Sequence, residues 1–188
     1  MISKNKLKLI ASLQMAKFRH EQQLFVAEGT KLVCDLQASG AAIEFLAATS
    51  AWLKANQVQA AETVACDEDD LKKASFLKTP TQVLALVRMP HALPTVDPMP
   101  HALVIALDEV QDPGNMGTII RLADWFGIGT IVCSKGTVDC YNPKVVQATM
   151  GAIARVNVCY TSLADYLAAA RKQGIAVYGT FLEGNSIY

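Results

Sequence analysis

The feature that most limits how this chain can fold is an unbroken apolar run, Ala102 to Leu107, which leads through a Pro-Gly turn into a helical pattern. Because the run does not alternate with polar residues, it predicts a strand covered on both faces, as in a parallel sheet between helices. The turn then lies at the carboxyl edge of the sheet, where open α/β sheets bind ligands. The segment from Asp112 to Arg121 is therefore the first candidate for a functional site.

The helix that follows the turn has an apolar and a polar face at about 100° per residue. The apolar face holds Ile119, Ile120, Ala123 and Phe126. The polar face holds Gly117, Arg121 and Asp124. Arg121 is thus predicted to point away from the core. Two ordinary roles stay open on residue type alone, because Arg121 could pair with Asp124 on the surface and Asn115 could merely cap the helix.

The 188 residues are enough for one large or two small domains. Four prolines between Met89 and Pro100 disfavour both helices and sheet ladders. We therefore expect a first domain at residues 1–88, a linker at 89–100 and a second domain at 101–188.

Strand and helix patterns alternate in both halves of the chain. In the first half they predict a helix over residues 5–22 and strands near 25–29, 43–48, 63–66 and 83–87, which together form a small α/β sandwich. In the second half they predict strands at 102–107, 130–133, 156–160 and 175–178, with a helix from 142 to about 154. Such alternation predicts a parallel sheet with right-handed crossovers. Its carboxyl rim would gather residues 115–121, 134–142 and 180–188.

Composition argues against several functional classes. The 17 basic and 17 acidic residues balance, so net charge does not predict indiscriminate binding to nucleic acid. No stretch approaches 18 uninterrupted apolar residues, and neither the five scattered cysteines nor the three histidines suggest a disulfide framework or a metal site. We expect a cytoplasmic protein without membrane or metal. Basic residues do cluster before the first acid, Glu21, where a solvated helix face is the alternative to an RNA contact.

The segment Asn115-Met-Gly117-Thr-Ile-Ile-Arg121 resembles the Asn-x-Gly-x-x-x-Arg signature of the SpoU (TrmH-type) branch of the SPOUT RNA methyltransferases. Its flanks and the segment from Tyr141 to Gly151 are also similar to that family. The segment from Phe25 to Gly29 resembles the family's substrate-binding domain. The likeness covers nearly the whole chain.

This resemblance implies an N-terminal RNA-binding domain and a C-terminal SPOUT, or α/β knot, domain. It also implies S-adenosylmethionine as cofactor, a ribose 2′-hydroxyl of ribosomal or transfer RNA as substrate, and a homodimer formed through the catalytic domain. Arg121 would act on the hydroxyl or its adjoining phosphate, and Asn115 would orient the loop or contact the substrate. The candidate RNA contacts are Lys4, Lys6, Lys8, Arg19, Glu28, Gly29, Gly117 and Lys144.

Two later signatures of the family, which form the knot and most of the cofactor pocket, are not present. We therefore expect the catalytic domain to be incomplete, the main pocket to lie beyond Tyr188 with Thr180 as a candidate within the chain, and the 188 residues alone to be inactive. An RNA-binding module without catalysis is the main alternative. An unrelated α/β enzyme that binds a nucleotide phosphate is the other, although the chain has neither a Gly-x-Gly-x-x-Gly loop nor a Walker lysine.

Overall fold

The computed structural model describes residues 1–90 and 97–180. Half of the predicted linker, residues 91–96, and the last part of the predicted rim, residues 181–188, lie outside the described residues.

The first half of the chain forms a four-stranded mixed sheet. Its strands are β1 (Leu24–Glu28), β2 (Ile43–Ala48), β3 (Thr63–Ala65) and β4 (Val83–Arg88). They lie in the order β1-β4-β2-β3. Strand β4 is antiparallel to both of its neighbours, and β2 and β3 are parallel. Nearly every residue of β1, β2 and β4 is buried, because helices cover both faces of the sheet.

Five helices accompany this sheet: α1 (Lys4–Ser12), α2 (Ala16–Gln22), α3 (Thr30–Ala38), α4 (Ser50–Ala55) and α5 (Glu68–Ala74). One face of the sheet packs on α3 and α4 through residues such as Leu36 and Trp52. The other face packs on α1 and α5 through Ile10, Leu13 and Leu71. The predicted α/β sandwich is confirmed.

The single helix predicted over residues 5–22 is wrong. The chain leaves the helix at Leu13, and Met15, in an extended conformation, begins α2. The break between α1 and α2 frees two main-chain carbonyls for hydrogen bonds with a side chain. The main-chain carbonyls of Leu13 and Gln14 each accept a hydrogen bond of 2.8 Å from the guanidinium of Arg19, which an uninterrupted helix would not permit.

The second half forms a parallel sheet of β5 (Ile105–Leu107), β6 (Thr130–Ser134) and β7 (Asn157–Thr161), in that order. Its helices are α6 (Pro113–Trp125), α7 (Pro143–Thr149) and α8 (Leu163–Lys172), with a short 3₁₀ turn at Ala152–Ala154. The predicted parallel sheet is confirmed.

Three details of this half differ from the predictions. Strand β5 begins only at Ile105, and Ala106 is exposed, because in the described residues β5 has a neighbouring strand on one side only. The predicted helix to residue 154 ends at Thr149, because Met150 and Gly151 adopt left-handed conformations. Residues 175–178 form no strand, and the main-chain N–H of Ile175 instead bonds to the carbonyl of Ala170 at the end of α8.

The two halves pack directly against each other. The rings of Phe25, in β1, and Tyr141, before α7, have centroids 4.9 Å apart, and one apolar cluster runs through both sheets. Among the helices of residues 1–90 and 97–180, none is both long and apolar enough to cross a membrane.

Candidate functional site

The loops that follow β5 and β6 are joined by hydrogen bonds at the carboxyl edge of the parallel sheet. The main-chain N–H of Glu109 donates to Oγ of Ser134 at 2.9 Å, and the N–H of Val138 donates to the carbonyl of Val110 at the same distance. The structure thus joins the loop that precedes the first predicted rim segment, residues 115–121, to the second segment, residues 134–142. Of the third, Thr180 is exposed and lies in neither a helix nor a strand, and its predicted role in cofactor binding stays a prediction.

Tyr160 supports the second of these loops from β7. Its hydroxyl donates to the carbonyl of Val138 at 2.7 Å and accepts from the main-chain N–H of Cys140 at 2.8 Å. Burial raises the pKa of Tyr160 well above its usual range, so the hydroxyl keeps the proton that it donates. The loop is therefore anchored to the sheet at its middle.

The start of α6 is set by Asp112. One carboxylate oxygen of Asp112 accepts a hydrogen bond of 2.7 Å from the main-chain N–H of Asn115, and Pro113 occupies the first helical position. The alternative in which Asn115 caps the helix is therefore wrong, and its exposed side chain is left for another role. The sequence did carry a signal for this cap, since Asp-Pro is a common helix start.

Arg121 lies on the exposed face of α6, as predicted. The ordinary alternative, an ion pair with Asp124, is wrong, because both carboxylate oxygens of Asp124 bind the guanidinium of Arg155 at 2.9 and 2.7 Å. These hydrogen bonds hold the pKa of Asp124 below its usual value. Within residues 1–90 and 97–180, no ion pair or side-chain hydrogen bond involves Arg121, so its donors are available to a ligand.

Gly117 is a packing residue rather than an exposed one. It is buried, and a Cβ at this position would lie 2.4 Å from Cβ of Ala148 in α7. This packing accounts for the glycine, and its contact with RNA stays a prediction. The absence of a side chain lets α6 and α7 approach closely, which fixes the helix that carries Asn115 and Arg121.

Two other predicted RNA contacts are also buried. Arg19 is 1% exposed, and its Nε donates to the carboxylate of Asp139 at 2.9 Å. Glu28 is 5% exposed and accepts hydrogen bonds from the hydroxyl of Ser75 and the main-chain N–H of Phe76. Both side chains thus have partners within the protein, and their contact with RNA stays a prediction. Sequence patterns gave no signal for these partners, because Asp139 and Ser75 are distant along the chain.

The remaining predicted RNA contacts are four lysines and Gly29, all less buried than Arg19 and Glu28. Lys6 forms an ion pair with Glu62 at 2.7 Å and lies over the ring of Phe45. Gly29 has a φ of 100°, so its backbone conformation accounts for the glycine. The exposed side chains are those of Lys4, Lys8 and Lys144, and their contact with RNA stays a prediction. Lys144 begins α7 beside the rim, where Asn142 caps the helix as predicted.

Within the described residues, no group of three or more His, Cys, Asp or Glu side chains could hold a metal ion. The exposed acidic residues Asp108 and Glu109 follow β5 directly. Their carboxylates give this part of the rim a negative charge that suits a cationic ligand.

Two family models match consecutive parts of the chain. Residues 4–85 match the MRM3-like substrate binding domain, and residues 102–188 match the SpoU rRNA methylase family.

Individual relatives give the same assignment. The chain is 30% identical over 178 residues to the Bacillus subtilis 23S rRNA (guanosine(2553)-2′-O)-methyltransferase RlmP, covering 94% of this chain and 70% of that protein. It is 30% identical over 163 residues to human mitochondrial rRNA methyltransferase 3, covering 80% of this chain and 39% of that protein. The chain thus spans 70% of the bacterial relative but only 34% to 44% of the mitochondrial ones.

Solved structures agree with the sequence comparisons. A TrmH-family protein from Porphyromonas gingivalis superposes with a TM-score of 0.87 at 42% identity, over 98% of this chain and 73% of that one. An rRNA methyltransferase from Sinorhizobium meliloti, solved with S-adenosylmethionine bound, superposes with a TM-score of 0.75 at 28% identity, over 91% and 67% of the two chains. With its fold, its Asn115 to Arg121 helix and these relatives, the chain belongs to the SpoU rRNA methylase family.

Proposed function

We propose that this protein transfers a methyl group from S-adenosylmethionine to a ribose 2′-hydroxyl of ribosomal RNA. RNA methylation with this cofactor follows from the family. The choice of ribosomal RNA rests on the names of the bacterial and mitochondrial relatives. The observation in the structure that carries the proposal is the exposed guanidinium of Arg121 on a helix fixed at the sheet's carboxyl edge.

Arg121 would bind the phosphate beside the target ribose and stabilise the negative charge that develops on the 2′ oxygen. A guanidinium is protonated at neutral pH, so it acts through charge and hydrogen bonds and not as a base. Such donors are most effective when they are already positioned, because no reorganisation is then needed during the reaction. The packing of Gly117 on Ala148 supplies this positioning by fixing α6.

The exposed carboxylates of Asp108 and Glu109 fit one part of the cofactor. S-adenosylmethionine carries a sulfonium cation and an amino group, and its sulfonium supplies the methyl group. Two acidic side chains at the rim would favour binding of this cation over its neutral product.

The test is methyl transfer from tritiated S-adenosylmethionine to ribosomal RNA by the protein expressed from its native gene, with the product mapped by resistance of the methylated ribose to alkaline hydrolysis. Arg121→Ala should lower the rate by about 100- to 1,000-fold, the usual loss for one such donor, with cofactor affinity unchanged. Arg171→Ala, at an exposed arginine in the last turn of α8, is the matched control and should keep full activity. Methylation of a base, or full activity in Arg121→Ala, would refute the proposal. RNA binding without cofactor binding would favour a non-catalytic module.

We also propose that the protein is a homodimer whose interface includes the exposed end of α6. Leu122, Trp125 and the adjacent Phe126 are 49%, 84% and 71% exposed. Phe126 was expected in the core, and its exposure is a correction. Contiguous large apolar side chains on a surface are typical of an interface. Light scattering after gel filtration should give the mass of a dimer for the natural protein and of a monomer for Trp125→Ser. Met15→Ser, at a 58% exposed apolar residue elsewhere, should remain dimeric.

The cytoplasmic location stays a prediction, because the relatives include both a bacterial protein and mitochondrial ones.

A further inference from the structure

A cavity of about 310 Å³ lies between the two halves of the molecule. One wall comes from β1 and the segment after α5, and the opposite wall comes from α7. The lining residues are Val26, Glu28, Phe76, Leu77, Pro143, Lys144, Gln147 and Ala148. Its size is at the lower end of the range for small-molecule sites.

The cavity adjoins the helix that carries the candidate catalytic residues. Ala148 lines the cavity and also meets Gly117 of α6. Helices α6 and α7 both begin at the carboxyl edge of the parallel sheet, after β5 and β6. A ligand in the cavity would therefore be separated from α6 by α7 alone.

Glu28 gives the cavity wall hydrogen-bond acceptors. Its carboxylate accepts one hydrogen bond from Ser75 and one from the main-chain N–H of Phe76, which uses about two of its four lone-pair positions. In the described part of the chain, no lysine, arginine or histidine forms an ion pair with it. Burial raises the pKa of Glu28 above its usual 4.5. A buried acceptor without a cation is suited to a neutral ligand that offers N–H donors.

The rest of the lining suits a nucleotide. Phe76 supplies an aromatic ring, on which unpaired RNA bases commonly stack. Lys144, at the exposed start of α7, supplies a positive charge for a phosphate. Aromatic ring, acceptor and cation thus line one cavity.

We infer that this cavity binds a guanine base of the substrate RNA, with Glu28 accepting from N1–H and N2–H, Phe76 stacking on the base and Lys144 meeting a phosphate. Guanine is the base whose pairing edge presents two adjacent donors, and an ionised carboxylate can only accept. Adenine, cytosine and uracil each place an acceptor beside the donor, where it would face a carboxylate oxygen. This inference rests on the proposed function, since it names the base that the RNA presents to the protein.

The test uses the four nucleoside 5′-monophosphates as probes, followed by backbone N–H chemical shifts of the protein. GMP should bind best and should perturb Phe76 and Gln147. Glu28→Gln should weaken GMP by roughly 10-fold, the usual scale for one bidentate base contact, and should leave the other three nucleotides nearly unchanged. Phe76→Leu should weaken all four nucleotides alike, because stacking is tolerant of base identity.

Matched controls separate these contacts from general damage to the protein. Glu62→Gln and Phe18→Leu change the same residue types outside the cavity and should leave GMP binding intact. Should Glu28→Gln unfold, Lys144→Ala provides a second measurement on an exposed side chain. It should weaken GMP but not guanosine, which has no phosphate.

Two results would overturn the inference: equal affinity for the four nucleotides, or GMP binding that none of the three cavity variants reduces. Failure of the proposed function would look different. If the protein methylates ribose but shows no preference for guanine, the inference about the cavity is refuted and the proposed function is not. If the protein prefers guanine through Glu28 but transfers no methyl group, the proposed function is refuted and guanine binding in the cavity is not.

Discussion

Gly117 shows that a residue inside a signature motif can be required for packing. It lies between Asn115 and Arg121, yet its lack of a side chain serves the contact of α6 with Ala148. Arg121, four positions later, is exposed and unpaired within the described residues. Gly117 thus fixes the position of α6, and Arg121 lies on the exposed face of the same helix.

We predict that Gly117→Ala destabilises the fold by about 1–3 kcal/mol, because its methyl group overlaps that of Ala148. Adding Ala148→Gly should recover part of the loss, since the double variant restores the space. Gly129→Ala is the control, because nothing lies within 4 Å of a Cβ there. Urea unfolding measures all four proteins. A double variant no more stable than Gly117→Ala would contradict the steric explanation.

Glu28 should make stability depend on pH. Burial raises its pKa above 4.5, so protonation of Glu28 is more favourable in the folded than in the unfolded protein. The contribution of Glu28 to the free energy of unfolding is therefore complete below pH 4.5 and is lost as the pH rises through the raised pKa. Glu28→Gln, which mimics the neutral acid, should become more stable relative to the natural protein as the pH rises from 4.5 towards neutrality.

Glu44 provides a comparison of opposite sign. Its hydrogen bond from Arg88 lowers its pKa, so its contribution is present above pH 4.5 and is lost as the pH falls through the lowered value. The free energy of unfolding should be measured from below the lowered pKa of Glu44 up to neutral pH. As the pH rises, Glu44→Gln should lose stability relative to the natural protein below pH 4.5, whereas Glu28→Gln should gain it above pH 4.5. Parallel curves would contradict the assignment for Glu28.

At the scale of elements, α7 ends in two left-handed residues, and the second of these lies close to the other half of the molecule. Gly151 has a φ of 99°, and a Cβ there would lie 2.3 Å from Oδ2 of Asp35 in α3. Met150 is left-handed as well. Helix α7 therefore ends at Thr149, although the apolar pattern continues to residue 154, and the close approach of Asp35 leaves no room for a side chain at position 151.

We predict that Gly151→Ala is more destabilising than Gly174→Ala. Both positions have positive φ, which costs a non-glycine residue roughly 1–2 kcal/mol, but nothing lies within 4 Å of a Cβ at Gly174. Adding Asp35→Ala should recover part of the extra loss at Gly151, because it removes the carboxylate but leaves the Cβ of residue 35 at 3.0 Å from the new methyl group. Thermal unfolding provides the measurement, and equal losses in the two single variants would refute the role of Asp35.

At the scale of the whole molecule, Arg19 joins the two halves. Its guanidinium binds the carbonyls of Leu13 and Gln14 on one side and Asp139 of the rim loop on the other. The side chains of Arg19 and Asp139 are 2% and 18% exposed. The loop at the carboxyl edge of the parallel sheet is thus held partly by the N-terminal half, which couples the substrate-binding domain to the rim.

We predict that Arg19→Met or Asp139→Asn alone costs about 3 kcal/mol, because each leaves a buried group without its partner. The double variant should cost less than the sum of the two. Lys17→Met is the control, since its pair with Glu21 is exposed and contributes little. Urea unfolding of the natural protein, the single variants and the double variant completes the cycle. Strict additivity would contradict a direct interaction.

Local patterns predicted most strands and the parallel sheet, but they failed where distant residues compete. The helix predicted over residues 5–22 is interrupted where the carbonyls of Leu13 and Gln14 bind Arg19. The helix predicted to residue 154 ends at Thr149, just before Gly151 comes close to Asp35. At the candidate site, the motif located Asn115 and Arg121 on α6. It could not show that Asp124 binds Arg155, because the partner follows 31 residues later.

The sequence by itself determined the family, the alternation of strands and helices and the helix that carries Arg121, because these depend on residues close together along the chain. Only the tertiary structure decided which charged side chains face solvent. The sequence predicted site roles for Arg19, Glu28 and Arg121 alike. Only Arg121 is exposed, because the first two are buried against partners 120 and 47 residues away. Burial depends on contacts between segments that are distant along the chain, and a local sequence pattern cannot predict such contacts.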